Sequence, residues 1–133
     1  MKMLAKAWLA VLLVLLALDA TWLLWVARDY YKSQIGYLFS PAPRWWAAAL
    51  FYPLYAAGLA VFVVAPAVRD GSAGRGAALG AFFGLVAYAA YDLTNLATVK
   101  DWPLLVTAVD MGWGAFVSAA ACFAAAWVVL RWA

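Results

Sequence analysis

Four long apolar stretches, separated by short polar segments, constrain the fold of this 133-residue chain more than any other feature. They run approximately from Leu4 to Ala27, from Trp45 to Val68, from Gly76 to Thr98 and from Trp102 to Leu130. Each is long enough to cross a bilayer as a helix, which takes about 20 apolar residues. Hydrophobic residues make up 71% of the chain and charged residues 11%, whereas a soluble domain has about 25% charged residues. We therefore expect an all-α integral membrane protein, a single antiparallel bundle of four transmembrane helices.

The first apolar stretch follows Lys2 and Lys6, which is also the pattern of a signal peptide. It is longer than a typical signal core, so we expect a retained first helix. The connections after the second and third stretches are short, which predicts antiparallel neighbouring helices.

Several classes of function are excluded by residue types that the sequence lacks. Histidine is absent and Cys122 is the only cysteine, so haem ligation by histidine, an internal disulfide and a multi-cysteine metal site are excluded. No phosphate-binding loop or dinucleotide fingerprint is present, which excludes the common nucleotide sites. The net charge of +3 is scattered over helix ends and does not predict a nucleic-acid surface. The partner that the composition does predict is the lipid bilayer.

The segment RDYYKSQIGYLFSPAPR, from Arg28 to Arg44, connects the first two helices and is called the connector below. Its mixture of aromatic and basic residues is typical of a segment in the membrane interface. It is interpreted either as an anchor in that interface or as a lid over a site opening on the same side, called the connector side. The opposite side has slightly more basic residues, so the positive-inside rule favours a cytoplasmic location for both termini. The two groups are Lys2, Lys6, Arg69, Arg75 and Arg131 against Arg28, Lys32, Arg44 and Lys100.

Three aspartates, Asp19, Asp92 and Asp110, lie inside the apolar stretches, whereas every lysine and arginine lies at or near the end of one. Ionisable groups within a membrane are costly and usually functional. Counted along the helices, all three carboxylates are expected roughly 10–12 Å below the connector side, at 1.5 Å per residue. Pro53 falls at the same level and is expected to kink the second helix, freeing the carbonyl of Ala49.

The helical period of 100° per residue turns these aspartates towards the other helices. On the third helix Ala81, Gly84, Tyr88, Asp92 and Asn95 form one stripe, and on the fourth Thr107, Asp110, Gly114, Val117 and Ser118 form another. On the first helix Asp19 shares its side with Trp22 and Val26. Polar side chains turn inward in a lipid-embedded bundle, which predicts one polar chamber lined by all four helices. Its candidate ligand-binding or proton-handling residues are Asp19, Asp92, Asp110, Asn95, Thr94, Tyr88, Tyr91, Tyr52, Tyr55, Trp22 and Trp113.

Two spacing patterns accompany the aspartates. Asp19 and Trp22 have the same three-residue separation as Asp110 and Trp113, so each indole is expected to reach the carboxylate region one turn away. Gly76, Gly80 and Gly84 recur at every fourth position, which indicates close helix packing.

The buried acids need partners, and three solutions stay open. In the first, some of the carboxyl groups are protonated and donate hydrogen bonds to the others. In the second, a cation binds, either an organic amine among aromatic rings or a metal ion held by Asp19, Asp92 and Asp110. In the third, each carboxylate accepts hydrogen bonds as a structural contact. The leading hypothesis is binding, and translocation, of a cation or of a cationic or proton-coupled small molecule. Because four helices are few for a transporter, translocation would require a homodimer.

Two other classes of function remain as alternatives. One is an enzyme that acts on a lipid or isoprenoid within the bilayer, with aspartates as acid, base or metal ligands. The other is a structural accessory subunit without a ligand, in which the acids only fix the helix register.

Four strings carry a resemblance to a known family: LDATWLLWVARDYY, FYPLYAAGLAVFVVAPA, YAAYDLTNLATVKDWP and VDMGWGAF. Together they resemble the bacterial predicted membrane proteins catalogued as domain of unknown function 2177, and the most specific part is Tyr91 to Thr98. The resemblance implies a helical membrane protein of four spans in a bacterial inner membrane. It implies no reaction or ligand.

Overall fold

The computed structural model describes residues 1–132, and these contain four helices long and apolar enough to cross a membrane, with no strand. They are the first span, Lys2–Val26, the second, Trp45–Arg69, the third, Ala73–Thr98, and the fourth, Leu104–Trp132. The expected all-α fold is confirmed. The connector contributes a short α-helix, Arg28–Ile35, followed by one 3₁₀ turn, Gly36–Leu38.

The spans alternate in direction, as their short connections require. The Lys6 ammonium donates to the backbone carbonyl of Trp132 at 3.2 Å, so the start of the first span and the end of the fourth lie on the same side of the bundle. On the opposite side the Tyr37 hydroxyl of the connector donates to the carbonyl of Asp101 at 2.9 Å. The connector and the turn between the third and fourth spans therefore share the connector side.

Local chemistry explains the tight turn between the second and third spans. Gly71 has φ +67°, a left-handed conformation that glycine adopts without steric cost. The Ser72 side chain then accepts a hydrogen bond from the backbone N–H of Arg75 at 3.0 Å, a typical N-terminal cap. This cap starts the third span at Ala73, slightly before the predicted start at Gly76.

The glycine ladder forms the closest contact in the bundle, between the third and fourth spans. Gly76, Gly80 and Gly84 are buried, and a Cβ at Gly80 would lie 2.7 Å from the carbonyl oxygen of Ser118. A Cβ at Gly84 would overlap the carbonyl oxygen of Gly114. The two backbones approach so closely because these three positions carry no side chain, which is the kind of contact that the glycine spacing predicts.

The core is built from small and branched residues at every fourth position. On the first span Ala7, Val11 and Leu15 are almost fully buried, and the next residue of this stripe is Asp19. They pack against Ala56, Leu59 and Val63 of the second span and against Val117, Ala121 and Ala125 of the fourth. Because the acids continue the same stripes that make the core, they face other helices rather than lipid.

Two π-helical turns interrupt the regular hydrogen bonding, at Trp22–Val26 and at Ala60–Val64. An extra residue in a turn rotates everything that follows it. Val26, predicted on the inner face with Asp19, is therefore 65% exposed. The second span continues through Pro53 as helix, and its irregular turn comes later, at Ala60–Val64.

Candidate functional site

Asp92 and Asp110 face one another across the contact between the third and fourth spans. Along this contact Gly80 lies against Cys122, and Gly84 lies against Ser118 and Gly114. The antiparallel register continues one turn further, where the ring of Tyr88 packs on Gly114. One more turn brings Asp92 opposite Asp110, and both carboxyl groups border the same cavity. The glycine ladder thus aligns the two acids.

Asp92 is the most unusual side chain in the molecule. It is fully buried, and its carboxyl group lies against that of Asp110 without a hydrogen bond from any other group among residues 1–132. Polar groups buried in a protein are nearly always hydrogen-bonded, since an unmade bond at a charged group costs more than about 1–3 kcal/mol. Asp92 therefore borders the cavity with a buried acidic group that the surrounding residues do not neutralise.

Asp110 is held by the connector. The hydroxyl of Tyr31 donates to Asp110 Oδ1 at 2.9 Å and itself accepts a bond from the Trp22 indole at 3.3 Å. Tyr31 lies in the connector helix, where burial raises the pKa of its phenol far above the ordinary value. It therefore stays protonated and donates to Asp110 at any physiological pH.

The connector covers the two acids and packs against the bundle. Ala27, Tyr31 and Ile35 are buried in a small cluster with Trp102 and Val106 of the turn and fourth span. This cluster is a second core, separate from the main one near the opposite side. The connector therefore forms one wall of the site, and its role as an anchor or as a lid stays a prediction.

A cavity of about 340 Å³ lies between the connector and the two acids. Its lining combines acids, aromatic rings, aliphatic groups and one basic residue: Leu23, Arg28, Tyr31, Phe39, Tyr91, Asp92, Trp102, Val106 and Asp110. Arg28 is one of the basic residues at the ends of the apolar stretches. The connector helix begins at Arg28 and brings this residue to the cavity wall.

A second cavity of about 320 Å³ adjoins the first and shares Tyr91 and Asp110 with it. Its remaining walls are Phe51, Ala87 and Tyr88. Asp110 is the only charged residue among these lining groups.

Asp19 lies in a different environment from the other two acids. Its Oδ2 accepts from the Tyr52 hydroxyl at 2.8 Å, and its Oδ1 accepts from the Trp113 indole at 2.7 Å. Because Trp113 is one helical turn from Asp110, Asp19 lies within about one turn of the level of that acid, as the depth argument predicts. Both of its oxygens are already satisfied, however, and Asp19 does not border the cavity of Asp92 and Asp110.

The expected single chamber lined by all four spans is therefore wrong, and so is a metal site formed by Asp19, Asp92 and Asp110. Within the part of the chain that the structure describes, no three acidic or thiol groups lie close enough to hold a metal ion. The physical reason is that Asp19 is directed to Tyr52 and Trp113, one donor to each of its oxygens, and lines neither cavity of the other two acids.

Trp22 and Trp113, the tryptophans three residues after Asp19 and Asp110, each interact with the aspartate of the other helix. Trp113 donates to Asp19, and Trp22 reaches Asp110 through the hydroxyl of Tyr31. The two indoles stack with ring centroids 4.4 Å apart and planes 7° from parallel. The expectation that each indole serves the aspartate of its own helix is wrong, because the rings project across the contact between the first and fourth spans.

The other predicted site residues divide into three groups. Tyr91 lies between the two cavities, and Tyr88 lines the second. Tyr55 is hydrogen-bonded to Ser118 at 2.7 Å and Asn95 is half-buried, but neither lines these cavities. Thr94 is exposed, and its hydroxyl donates back to the carbonyl of Ala90.

The carbonyl of Ala49, which Pro53 deprives of its donor, was expected at the level of the acids. Ala49 instead borders an apolar groove formed by Leu12, Leu16, Trp45, Ala48, Tyr52 and Pro53. The carbonyl of Pro53 itself accepts from the Trp8 indole at 3.0 Å. The proline therefore contributes no ligand to the acidic site.

Sequence reasoning missed Tyr31, Arg28 and Trp102 as site residues. A signal for Tyr31 was present, since the connector was considered as a lid and contains adjacent tyrosines. The opposition of Asp92 and Asp110 could also have been read from the glycine ladder, because extending its register by two turns pairs them.

Comparison with known proteins identifies a family for this chain. A family model described as "Predicted membrane protein (DUF2177)" matches residues 4–127. No match was found among curated proteins. None was found among solved structures. The match covers the connector, the second and third spans and most of the first and fourth, and the chain therefore belongs to this family of predicted membrane proteins, DUF2177.

Proposed function

We propose that the protein binds a small organic cation within the membrane, between Asp92 and Asp110. The observation that carries this proposal is the Asp92 carboxylate, which is fully buried at the wall of a cavity, lies against the acidic group of Asp110 and receives no hydrogen bond from any other group in residues 1–132. A buried carboxylate without a donor is unfavourable in lipid, where no water replaces the missing bonds. A protonated amine supplies both the positive charge and the missing N–H groups.

The lining of the cavity favours an organic cation over a metal ion. Calcium takes six to eight oxygen ligands, and magnesium needs near-octahedral oxygen coordination. Here two carboxylates stand beside the rings of Tyr31, Tyr91 and Trp102. Aromatic faces attract ammonium groups, and this attraction grows when the cation is desolvated. The Tyr91 and Trp102 rings are mutually perpendicular, with centroids 5.7 Å apart.

The proposal is tested by titrating the purified full-length protein in detergent micelles with benzylammonium and following the heat of binding. Asp92→Asn and Asp110→Asn are each expected to weaken binding at least about tenfold, because each removes a charge-assisted contact worth about 1.5–3 kcal/mol. Asp29→Asn, on the exposed side of the connector helix, is the matched control and should bind like the wild type. Neutral benzyl alcohol should not compete.

Two results would refute the proposal. One is benzylammonium affinity that stays unchanged in both aspartate variants while their helical content is intact. The other is equal competition by benzyl alcohol, which would mean that the cavity recognises the ring and not the charge.

We further propose that the protein lies in a bacterial inner membrane with both termini in the cytoplasm. The Lys6 contact with Trp132 keeps both ends on one side, and this side carries the slightly larger number of basic residues. A fluorescent protein that matures only in the cytoplasm, fused after the fourth span, should therefore fluoresce. Alkaline phosphatase inserted at Pro41 of the exposed connector should be active in the periplasm. The reverse pair of results would invert this orientation.

A further inference from the structure

We infer that the ligand is an amphipathic cation whose apolar body occupies the second cavity while its charged end lies between Asp92 and Asp110. This inference rests on the proposed function and names the class of ligand that the site takes. Its starting point is that two cavities of similar size, about 340 and 320 Å³, meet at the same two residues, Tyr91 and Asp110. A ligand bound at Asp110 is therefore in contact with both.

The charges of the two cavities orient such a ligand. The first contains both acids but also Arg28, whose positive charge repels the cation towards the acids. The second has Asp110 as its one charged lining residue and otherwise Phe51, Ala87, Tyr88 and Tyr91. An apolar group that extends from the ammonium thus meets aromatic and aliphatic walls on the side away from Arg28. Ligand sites typically combine apolar walls with a few polar groups in this way.

The exposure of the walls indicates the route of entry. Phe51 is 43% exposed and Tyr91 is 55% exposed, and both lie on spans that face lipid. An amphipathic cation partitioned into the bilayer can therefore reach the second cavity sideways. The connector covers the first cavity on the side facing water.

The inference is tested with two primary ammonium probes that differ by one ring, benzylammonium and 4-phenylbenzylammonium. The wild-type protein should bind the longer probe at least about tenfold more tightly, because its second ring is buried against aromatic walls. Ala87→Leu fills the second cavity without altering either acid and should abolish this preference. Its benzylammonium affinity should stay within about twofold of the wild type, since that probe needs only the first cavity.

Two further variants distinguish loss of the second cavity from an unspecific effect of the substitution. Ala90→Leu adds the same side chain on the exposed face of the same span and should keep the wild-type preference. Phe51→Ala, on the second span, removes a wall of the second cavity and should also reduce the preference, so the result does not depend on one variant folding. A preference that persists in both Ala87→Leu and Phe51→Ala overturns the inference. If Asp92→Asn abolishes binding of both probes at the same time, the proposed cation site still stands.

Discussion

Replacing Gly84 by alanine is expected to destabilise the bundle by about 3 kcal/mol or more, at the upper end of the usual effect of overpacking. The new methyl group would overlap the carbonyl oxygen of Gly114 and would lie 2.5 Å from Ser118 Oγ. Backbone atoms cannot move aside as a flexible side chain does, so the third and fourth spans must separate. We expect the loss to appear in the free energy of unfolding measured by circular dichroism in mixed micelles.

Gly112→Ala provides the matched control on the fourth span. A Cβ at Gly112 meets no described atom within 4 Å. This substitution should be neutral or should stabilise the helix by up to about 1 kcal/mol, because alanine has the higher helix propensity. Equal stabilities of the Gly84→Ala and Gly112→Ala proteins would contradict the close approach of the two backbones.

The second large effect is expected at Asp19, where substitution should lower the stability of the fold. Asp19→Ala leaves the Tyr52 hydroxyl and the Trp113 indole without their acceptor. A buried donor without a partner costs about 1–3 kcal/mol, so the two together should cost about 2–6 kcal/mol. Asp19→Asn keeps one acceptor oxygen and should cost less. The measurement is again the free energy of unfolding.

A double-mutant cycle identifies the origin of this loss. Tyr52→Phe should destabilise the wild-type protein but should cost less in the Asp19→Ala background, where its hydroxyl has already lost its partner. Asp70→Ala removes an exposed ion pair with Arg75 and should cost about 0–1 kcal/mol. If Asp19→Ala is as stable as Asp70→Ala, the bonds to Tyr52 and Trp113 do not stabilise the fold.

The fold followed from composition and helical period alone. Runs of about 20 apolar residues with short polar turns have one stable arrangement in a bilayer, which is a bundle of spans. The inward stripes on the third and fourth spans were also predictable: Gly84, Asp92, Thr107, Gly114, Val117 and Ser118 are all buried. The period is reliable on these two spans because neither contains a π-helical turn.

The partners of the acids were not predictable in the same way. Helix length and helical period predict how deep a carboxylate lies in the membrane and which helix face carries it. They do not predict which hydrogen-bond donor contacts it. Asp19 and Asp110 occupy neighbouring levels, yet both oxygens of Asp19 accept hydrogen bonds, from Tyr52 and Trp113, while Asp110 borders the two cavities of the candidate site. The π-helical turn after Thr21 also rotates the end of the first span, and no sequence signal marks it.

The connector shows a further limit. Its composition predicts an interfacial location, which agrees with the aromatic residues that it exposes, such as Tyr37 and Phe39. It also sends Tyr31 down to Asp110 and Arg28 to the cavity wall. These contacts depend on the course of the chain after Val26, which is determined by packing of Tyr31 and Ile35 on Trp102 and Val106.

The hydrogen bond from Trp113 of the fourth span to Asp19 of the first has a consequence for biosynthesis. The two hydrogen-bond donors of Asp19 are synthesised at very different times after it. Tyr52 arrives with the second span, but Trp113 follows 94 residues after the acid. The nascent first helix therefore carries a carboxylate that lacks one of its two donors until the fourth span has been synthesised.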